Sequence, residues 1–261
     1  MSEPHEPRPR RPHPLERGPV EPPPSPRPQR GAPIPVARPV LTYALLGIIV
    51  AVFVLQQVFP ELTLRFMKED ASIIRGGEFY RLFTAMFLHG SVVHIFFNSY
   101  ALFIIGSTVE QLFGTRRFAI IYLLGGLAGS LASLVFTPAP SLGASGAIFA
   151  LLGAEGVFFY LNRDLFGAFG RSRFANIVFI AVLNLILGFS IPMIDNWGHI
   201  GGLFGGLVLA VFIGPRLRVQ QSLSFTPEVV DENPLERNWW AALIFAAGLL
   251  LVLFYVIASW G

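Results

Sequence analysis

GHIGGLFGGLVLAVFI, residues 198–213, sets a histidine and a cluster of glycines at the head of an otherwise aliphatic run. Gly201, Gly202, Gly205 and Gly206 form two overlapping G-x-x-x-G frames, the spacing that lets helix backbones approach closely inside a bilayer. An ionisable side chain at the edge of such a segment is costly and marks a functional position by default, so His199 needs a partner. The stretch GASGAIFALLGA, residues 143–154, is the natural counterpart. It offers small residues at Gly146, Ala150, Gly153 and Ala154, with Ser145 at its head, and Pro138 and Pro140 prevent helix just before it. A G-x-S-G tetrapeptide or one glycine frame is, alone, ordinary packing of small residues. Together they would bring a hydroxyl and an imidazole at two helix tips within hydrogen-bond reach.

Composition sets the frame for that pairing. Of 261 residues, 53% are hydrophobic and only 13% charged, which excludes an ordinary soluble domain. The absence of cysteine excludes disulfides, thiolate catalysis and cysteine metal sites. Stretches 40–59, 93–113, 117–136, 144–161, 174–191, 199–214 and 239–259 are each apolar enough to be read as crossing a hydrocarbon core of about 30 Å. None shows barrel-like alternation, so helix is the form that satisfies their backbones. Trp239, Trp240, Tyr255 and Trp260 bracket the last one as an aromatic belt would. The expected fold is an all-α polytopic membrane protein. Residues 1–38, rich in proline and arginine, are expected to be a disordered cytoplasmic tail rather than a signal peptide. A bundle over 39–215, a polar linker over 216–238 and an additional transmembrane helix over 239–261 follow.

Charge orients the bundle. Besides the arginines of the tail, Arg116 and Arg117, then Arg163, Arg171 and Arg173, then Arg216, Arg218 and Arg237 fall on alternate loops. The other side carries only Arg65, Lys68, Arg75 and Arg81, in one long loop shared with Glu61, Glu69, Asp70 and Glu78. The positive-inside rule then predicts a cytoplasmic N-terminus and an extracytoplasmic C-terminus in a multi-pass protein of the cell (plasma) membrane. The basic residues flank apolar segments rather than forming a patch, so nucleic acid is not an expected partner despite a pI near 9.6. This orientation, which rests on arginine and lysine alone, brings His94, Ser145 and His199 all to the outer ends of their segments.

His94 and Asn98, four residues apart, share one helix face and can both donate hydrogen bonds. Such a pair suits a developing oxyanion, with the Ser145 backbone N–H as a further donor; a plain hydrogen bond between helices would use the same residues. No carboxylate is placed to orient His199, and Asp195, four residues before it, is not taken for one, so the pattern is a dyad rather than a triad. Three histidines suggest zinc, but no H-E-x-x-H is present and no carboxylate follows a histidine at ligand spacing, so neither a metal nor another cofactor is expected. A transporter would favour an internal repeat and midplane polar sites, and neither is visible.

Gly143-Ala144-Ser145-Gly146, Gly198-His199 with its glycine frames, and His89, His94 and Asn98 together resemble the rhomboid family of intramembrane serine proteases. The likeness runs from about residue 40 to 215, in helix number and order as well as motifs. It implies a six-helix rhomboid-like catalytic bundle with one added C-terminal helix. It implies Ser145 as nucleophile, His199 as general base, His94 and Asn98 at the oxyanion hole, and His89 in a supporting network. Gly143, Gly202 and Gly206 would line the close helix contacts. Tyr80-Arg81 stands where the family usually has Trp-Arg, Glu110 ahead of Gly114 resembles an acidic position low in the second helix, and Phe149 matches an aromatic stacked on the catalytic histidine. The implied partners are the lipid bilayer and, as substrates, transmembrane segments of other membrane proteins. Residues 189–197, with Phe189, Pro192 and Met193, are expected to form a movable cap over the site.

Overall fold

In the computed structural model the described residues are 36–191, 194–221 and 227–260. The expected disorder of the tail therefore concerns residues outside those described, as do Pro192 and Met193 of the expected cap.

All seven apolar stretches are helical. The first, α1 (Val40–Val58), leads into a loop that is itself folded into α2 (Glu61–Phe66), α3 (Asp70–Ile74) and α4 (Arg81–Thr84). The second span runs over Val92–Phe113 but is not one regular helix: α5 (Val92–Ala101) passes through a π-helical turn, Leu102–Gly106, into α6 (Ser107–Phe113). Gly106 lies in that turn where a Cβ would meet Leu102 at 2.9 Å and Thr42 at 3.1 Å, so α1 is seated against the widened turn. Next come α7 (Thr115–Phe136), α8 (Ser145–Leu161), α9 (Arg163–Ser190) and α10 (Asn196–Ile213). The fifth stretch starts well before residue 174, since α9 extends back through Arg163 with a kink at Gly167, φ 53°. Part of the expected cap belongs to this helix, which continues to Ser190.

Residues 216–238 are not a bare linker. Strand β1 (Leu217–Gln221) pairs antiparallel with β2 (Pro227–Asp231), Leu217 opposite Asp231, and α11 (Leu235–Asn238) leads into α12 (Trp240–Trp260). Side chains dock this hairpin onto the bundle. Arg117 is ion-paired with Asp231 at 2.7 Å, Asn162 accepts the Leu217 N–H, and Asn233 donates to the carbonyls of Phe212 and Gly214.

Among the described residues six helices are long and apolar enough to cross a membrane, and α8 is shorter, with 17 residues. At 1.5 Å per residue it covers about 25 Å, less than a hydrocarbon core of about 30 Å. It is apolar on every face and buried on most of its length, the signature of a central helix. Its one deep charge, Glu155, is matched by Arg173 of α9, whose Nε and Nη2 donate to the same oxygen at 2.9 and 2.8 Å.

The glycine frames explain why α8 sits at the centre. A Cβ on Gly202 would strike the carbonyl of Gly146, and one on Gly206 the carbonyl of Ala150. Gly202 and Gly206 thus lay α10 backbone-to-backbone on α8. The other frame faces elsewhere: a Cβ on Gly201 would meet Ala132 and Ala128, and one on Gly205 would meet Ala128 and Gly125, all on α7. Gly129 of α7 closes the junction, 3.3 Å from the Gly146 Cα when given a Cβ. Three helices meet through glycine, so dispersion contacts between backbones replace the missing side chains.

Candidate active site

Ser145 opens α8 because the chain before it cannot be helical. Residues 137–144 form an irregular segment that carries Pro138 and Pro140 and ends in Gly143 with φ 131°, a conformation that L side chains rarely adopt. Gly143 is also needed for space: a Cβ there would stand 2.8 Å from Cε1 and Nε2 of His94 and 3.8 Å from the Ser145 Oγ. Its N–H is anchored to the Ala85 carbonyl at 2.9 Å. The first-turn amides of α8 have no intrahelical acceptor, and the helix dipole places positive potential at Ser145.

The Ser145 Oγ lies 2.9 Å from the His199 Nε2. The two tips meet because α10 begins at Asn196 with His199 in its first turn and Gly202 lies against Gly146. The imidazole stacks on Phe149, one turn into α8, with ring centroids 4.4 Å apart and planes 8° from parallel. His199 Nδ1 has no hydrogen-bond partner among the described residues. Asp195 does not serve it: its Oδ1 accepts from the Gly198 N–H and the Thr137 hydroxyl, and its Oδ2 from the Ser141 hydroxyl.

His94 stands on the other side of Gly143. Its Nδ1 accepts the Gly90 N–H at 3.4 Å, which places the proton of the neutral ring on Nε2, the nitrogen turned toward Gly143. Ser91 caps this helix by accepting the His94 N–H. Asn98 is buried one turn below and gives one amide hydrogen to the His94 carbonyl at 3.0 Å, leaving the second. His89 lies edge-on to His94 with centroids 5.1 Å apart. Its backbone is clipped at both ends by Gln56 of α1, which accepts the His89 N–H and donates to its carbonyl. Burial, with a smaller contribution from His94, pushes the His89 pKa down to about 4, so this ring stays neutral near pH 7.

The remaining expected residues are spread out. Arg81 is buried and holds the folded loop together, donating to the carbonyls of Leu64 and Met67 and pairing with Glu78. Tyr80 is exposed beside it. Glu110 is far from Ser145, at the opposite end of its helix, where it accepts from the N–H groups of Leu41 and Thr42 and the hydroxyls of Thr42 and Thr115. A polar cavity of about 30 Å³ lies behind the serine, lined by Ser145 and Gly146 with Ser130, Ser133, Ser141 and Asp195. That is room for one or two water molecules.

Against this arrangement, a family model described as the Rhomboid domain matches residues 76–216, more than half of the chain. The chain belongs to the rhomboid family. Rhomboid protease GluP of Bacillus subtilis (strain 168) is 41% identical over 182 residues, 68% of this chain and 35% of that protein. RHOMBOID-like protein 6, mitochondrial, of Arabidopsis thaliana is 36% identical over 142 residues, 54% of this chain and 46% of that protein. RHOMBOID-like protein 1 of the same plant is 38% identical over 141 residues, 52% of this chain and 35% of that protein. The chain therefore spans less than half the length of each of these relatives. The rhomboid match takes in Tyr80, Arg81, His89, His94, Asn98, Glu110, Ser145, Phe149 and His199 but not Gln56 or Lys68.

Sequence reasoning missed Gln56, Lys68 and the bridging use of Asp195. An aspartate three residues before a glycine at the start of an apolar run is an N-cap signal, and the Asp195 side chain does cap Gly198. Lys68, the only lysine in the chain, sits in a charged loop that gave no sign of its burial.

Proposed function

We propose that this rhomboid is an intramembrane serine endopeptidase that cleaves transmembrane segments of other membrane proteins with Ser145 and His199. The observation that carries the reading is the 2.9 Å contact between the Ser145 Oγ and the His199 Nε2. His199 takes the hydroxyl proton as Ser145 attacks the substrate carbonyl carbon. The developing oxyanion meets the N-terminal amide of α8, the Nε2–H of His94 and the free amide hydrogen of Asn98. The imidazolium then protonates the leaving amine, and during its short life the Phe149 ring face stabilises its charge. Water from the adjacent cavity, deprotonated by His199, releases the acyl group.

Depth supports an intramembrane site. With 17 residues α8 is too short to reach both faces of a full hydrocarbon core, which supports a Ser145 set below the surface, and Ser141, Leu142 and Gly143 just before it line a cavity. By the positive-inside rule this end of the bundle faces away from the cytoplasm, with the N-terminus inside and the C-terminus outside.

The test is cleavage of a labelled transmembrane substrate in liposomes, alongside labelling of the enzyme by a fluorophosphonate. Ser145→Ala is expected to lower cleavage by at least about 10³-fold and to abolish labelling, and His199→Ala to suppress both. Equal cleavage by the wild type and Ser145→Ala would refute the assignment.

A further inference from the structure

Two charged side chains outside this reaction hold the nucleophile's segment. Lys68, in the loop between α2 and α3, is buried, 1% exposed. Its ammonium donates to the carbonyls of Thr137 and Ala139 at 2.6 and 3.1 Å and is ion-paired with Asp70 at 2.8 Å. The Lys68 backbone adds a two-way bridge to Ser141, N–H to carbonyl at 2.9 and 3.0 Å. Asp195 accepts from the Thr137 hydroxyl at 3.0 Å and the Ser141 hydroxyl at 2.6 Å, while capping the Gly198 N–H at 2.9 Å.

We propose that Lys68 and Asp195 are positioning residues, an opposite-charge clamp on residues 137–141 that sets Ser145 against His199. The proposal rests on the reading of those two as nucleophile and base.

An N-cap alone would use one carboxylate oxygen and its own helix. Asp195 uses both oxygens and reaches a segment more than fifty residues away in sequence. That makes it a single group bonded to the segments that carry both members of the dyad: Ser141 lies four residues before Ser145, and Gly198 is the residue before His199. Lys68 answers the complementary need. Residues 137–141 are outside any helix and do not satisfy their own carbonyls, so a buried ammonium takes two of them. Burying that cation is tolerable only with its acceptors and Asp70 in place, which fixes their geometry in turn. Without these two side chains, the segment before Ser145 would keep the Lys68–Ser141 backbone bridge and the Gly143–Ala85 hydrogen bond, which leave Thr137 and Ala139 untied.

The experiment compares wild type, Ser145→Ala, Lys68→Met, Asp195→Ala and Asp195→Asn in proteoliposomes, reading kcat and KM for a transmembrane substrate and the rate of fluorophosphonate labelling. Asp195→Ala and Lys68→Met are each expected to lower kcat and labelling about 100-fold, with KM nearly unchanged, since a displacement of about 1 Å has that effect. The double variant is expected to fall little further, because both changes release the same segment. Asparagine can accept from Gly198 and Thr137 and donate to the Ser141 hydroxyl, so Asp195→Asn is expected to recover to within about tenfold of wild type. Should Asp195→Ala fail to fold, Ser141→Ala removes one of the two cross-segment bonds, leaving the Thr137 hydroxyl and the Gly198 cap in place, and is expected to lower kcat about fivefold, the equivalent of one hydrogen bond. The clamp is overturned if Asp195→Ala (or, in its stead, Ser141→Ala) turns over at the wild-type rate while Ser145→Ala is dead. It is equally overturned if Asp195→Asn is as inactive as the alanine variant. Cleavage by Ser145→Ala would instead overturn the dyad itself.

Discussion

Replacing Gly202 with valine is expected to abolish labelling of Ser145 and to leave a bundle that unfolds well below the wild-type temperature. The new Cβ would occupy the position of the Gly146 carbonyl, and a backbone atom cannot rotate aside. Helix α10 must therefore back away from α8, and His199, in its first turn, moves with it. The Ser145–His199 contact is 2.9 Å, so a retreat of 1 Å already breaks it. Misplacement on that scale costs about 10²-fold in rate, and valine's two further methyl groups demand a larger retreat. Overpacking of a tight junction adds a stability loss of about 1 to 3 kcal/mol or more. Gly248→Ala in α12 and Gly47→Ala in α1 are the controls, since a Cβ at either has nothing within 4 Å, and both are expected to label like wild type. Labelling kinetics and thermal unfolding in the same detergent decide the matter. A Gly202→Val protein that labels at the control rate would mean that glycine packing does not set the Ser145–His199 distance.

The same frame shows what was legible in the sequence and what was not. Apolar length and the need to satisfy backbone groups in lipid predicted seven helical stretches, and small-residue spacing matched Gly201, Gly202, Gly205 and Gly206 as a set to Gly146, Ala150, Gly153 and Ala154. In the fold it is Gly202 and Gly206 that meet Gly146 and Ala150. Period-four glycine on one helix marks a close neighbour without naming it, and Gly201 and Gly205 turn out to face α7. The π turn at Leu102–Gly106 had no punctuation in an unbroken apolar run. The β1–β2 hairpin is short and partly polar, and its pairing depends on side chains far away, such as Arg117 and Asn162. Ser145 and His199 could be singled out because polar groups are conspicuous in lipid. Lys68 and Asp195 could not, because in a charged loop and a helix cap such residues are ordinary. Only the tertiary fold reveals that one is buried and the other bridges two segments.

Glu110 carries the second large effect, and it separates stability from chemistry. Helix α1 begins at Val40 after Pro39, which provides no side-chain cap, so its first N–H groups depend on another part of the chain. Glu110 supplies the acceptors: one oxygen takes the Leu41 N–H and the Thr115 hydroxyl, the other the Thr42 N–H and hydroxyl, at 2.7 to 3.0 Å. A fully buried carboxylate thereby ties α6 to the starts of α1 and α7, where both helix dipoles favour a negative charge. Glu110→Ala strands four donors, and at about 1 kcal/mol each the loss is about 4 kcal/mol. For a protein of this size that lowers the unfolding temperature by about 8 to 16 °C. Glu110→Gln keeps one acceptor oxygen and is expected to fall between alanine and wild type. Because this junction lies at the end of the bundle away from Ser145, folded Glu110→Ala at low temperature is expected to label at close to the wild-type rate. A shift in unfolding temperature below about 2 °C, less than 1 kcal/mol, would show that α1 finds other partners for its first turn. A slowed labelling rate with unchanged stability would instead tie Glu110 to the reaction, against the geometry that puts it at the far end of the second span.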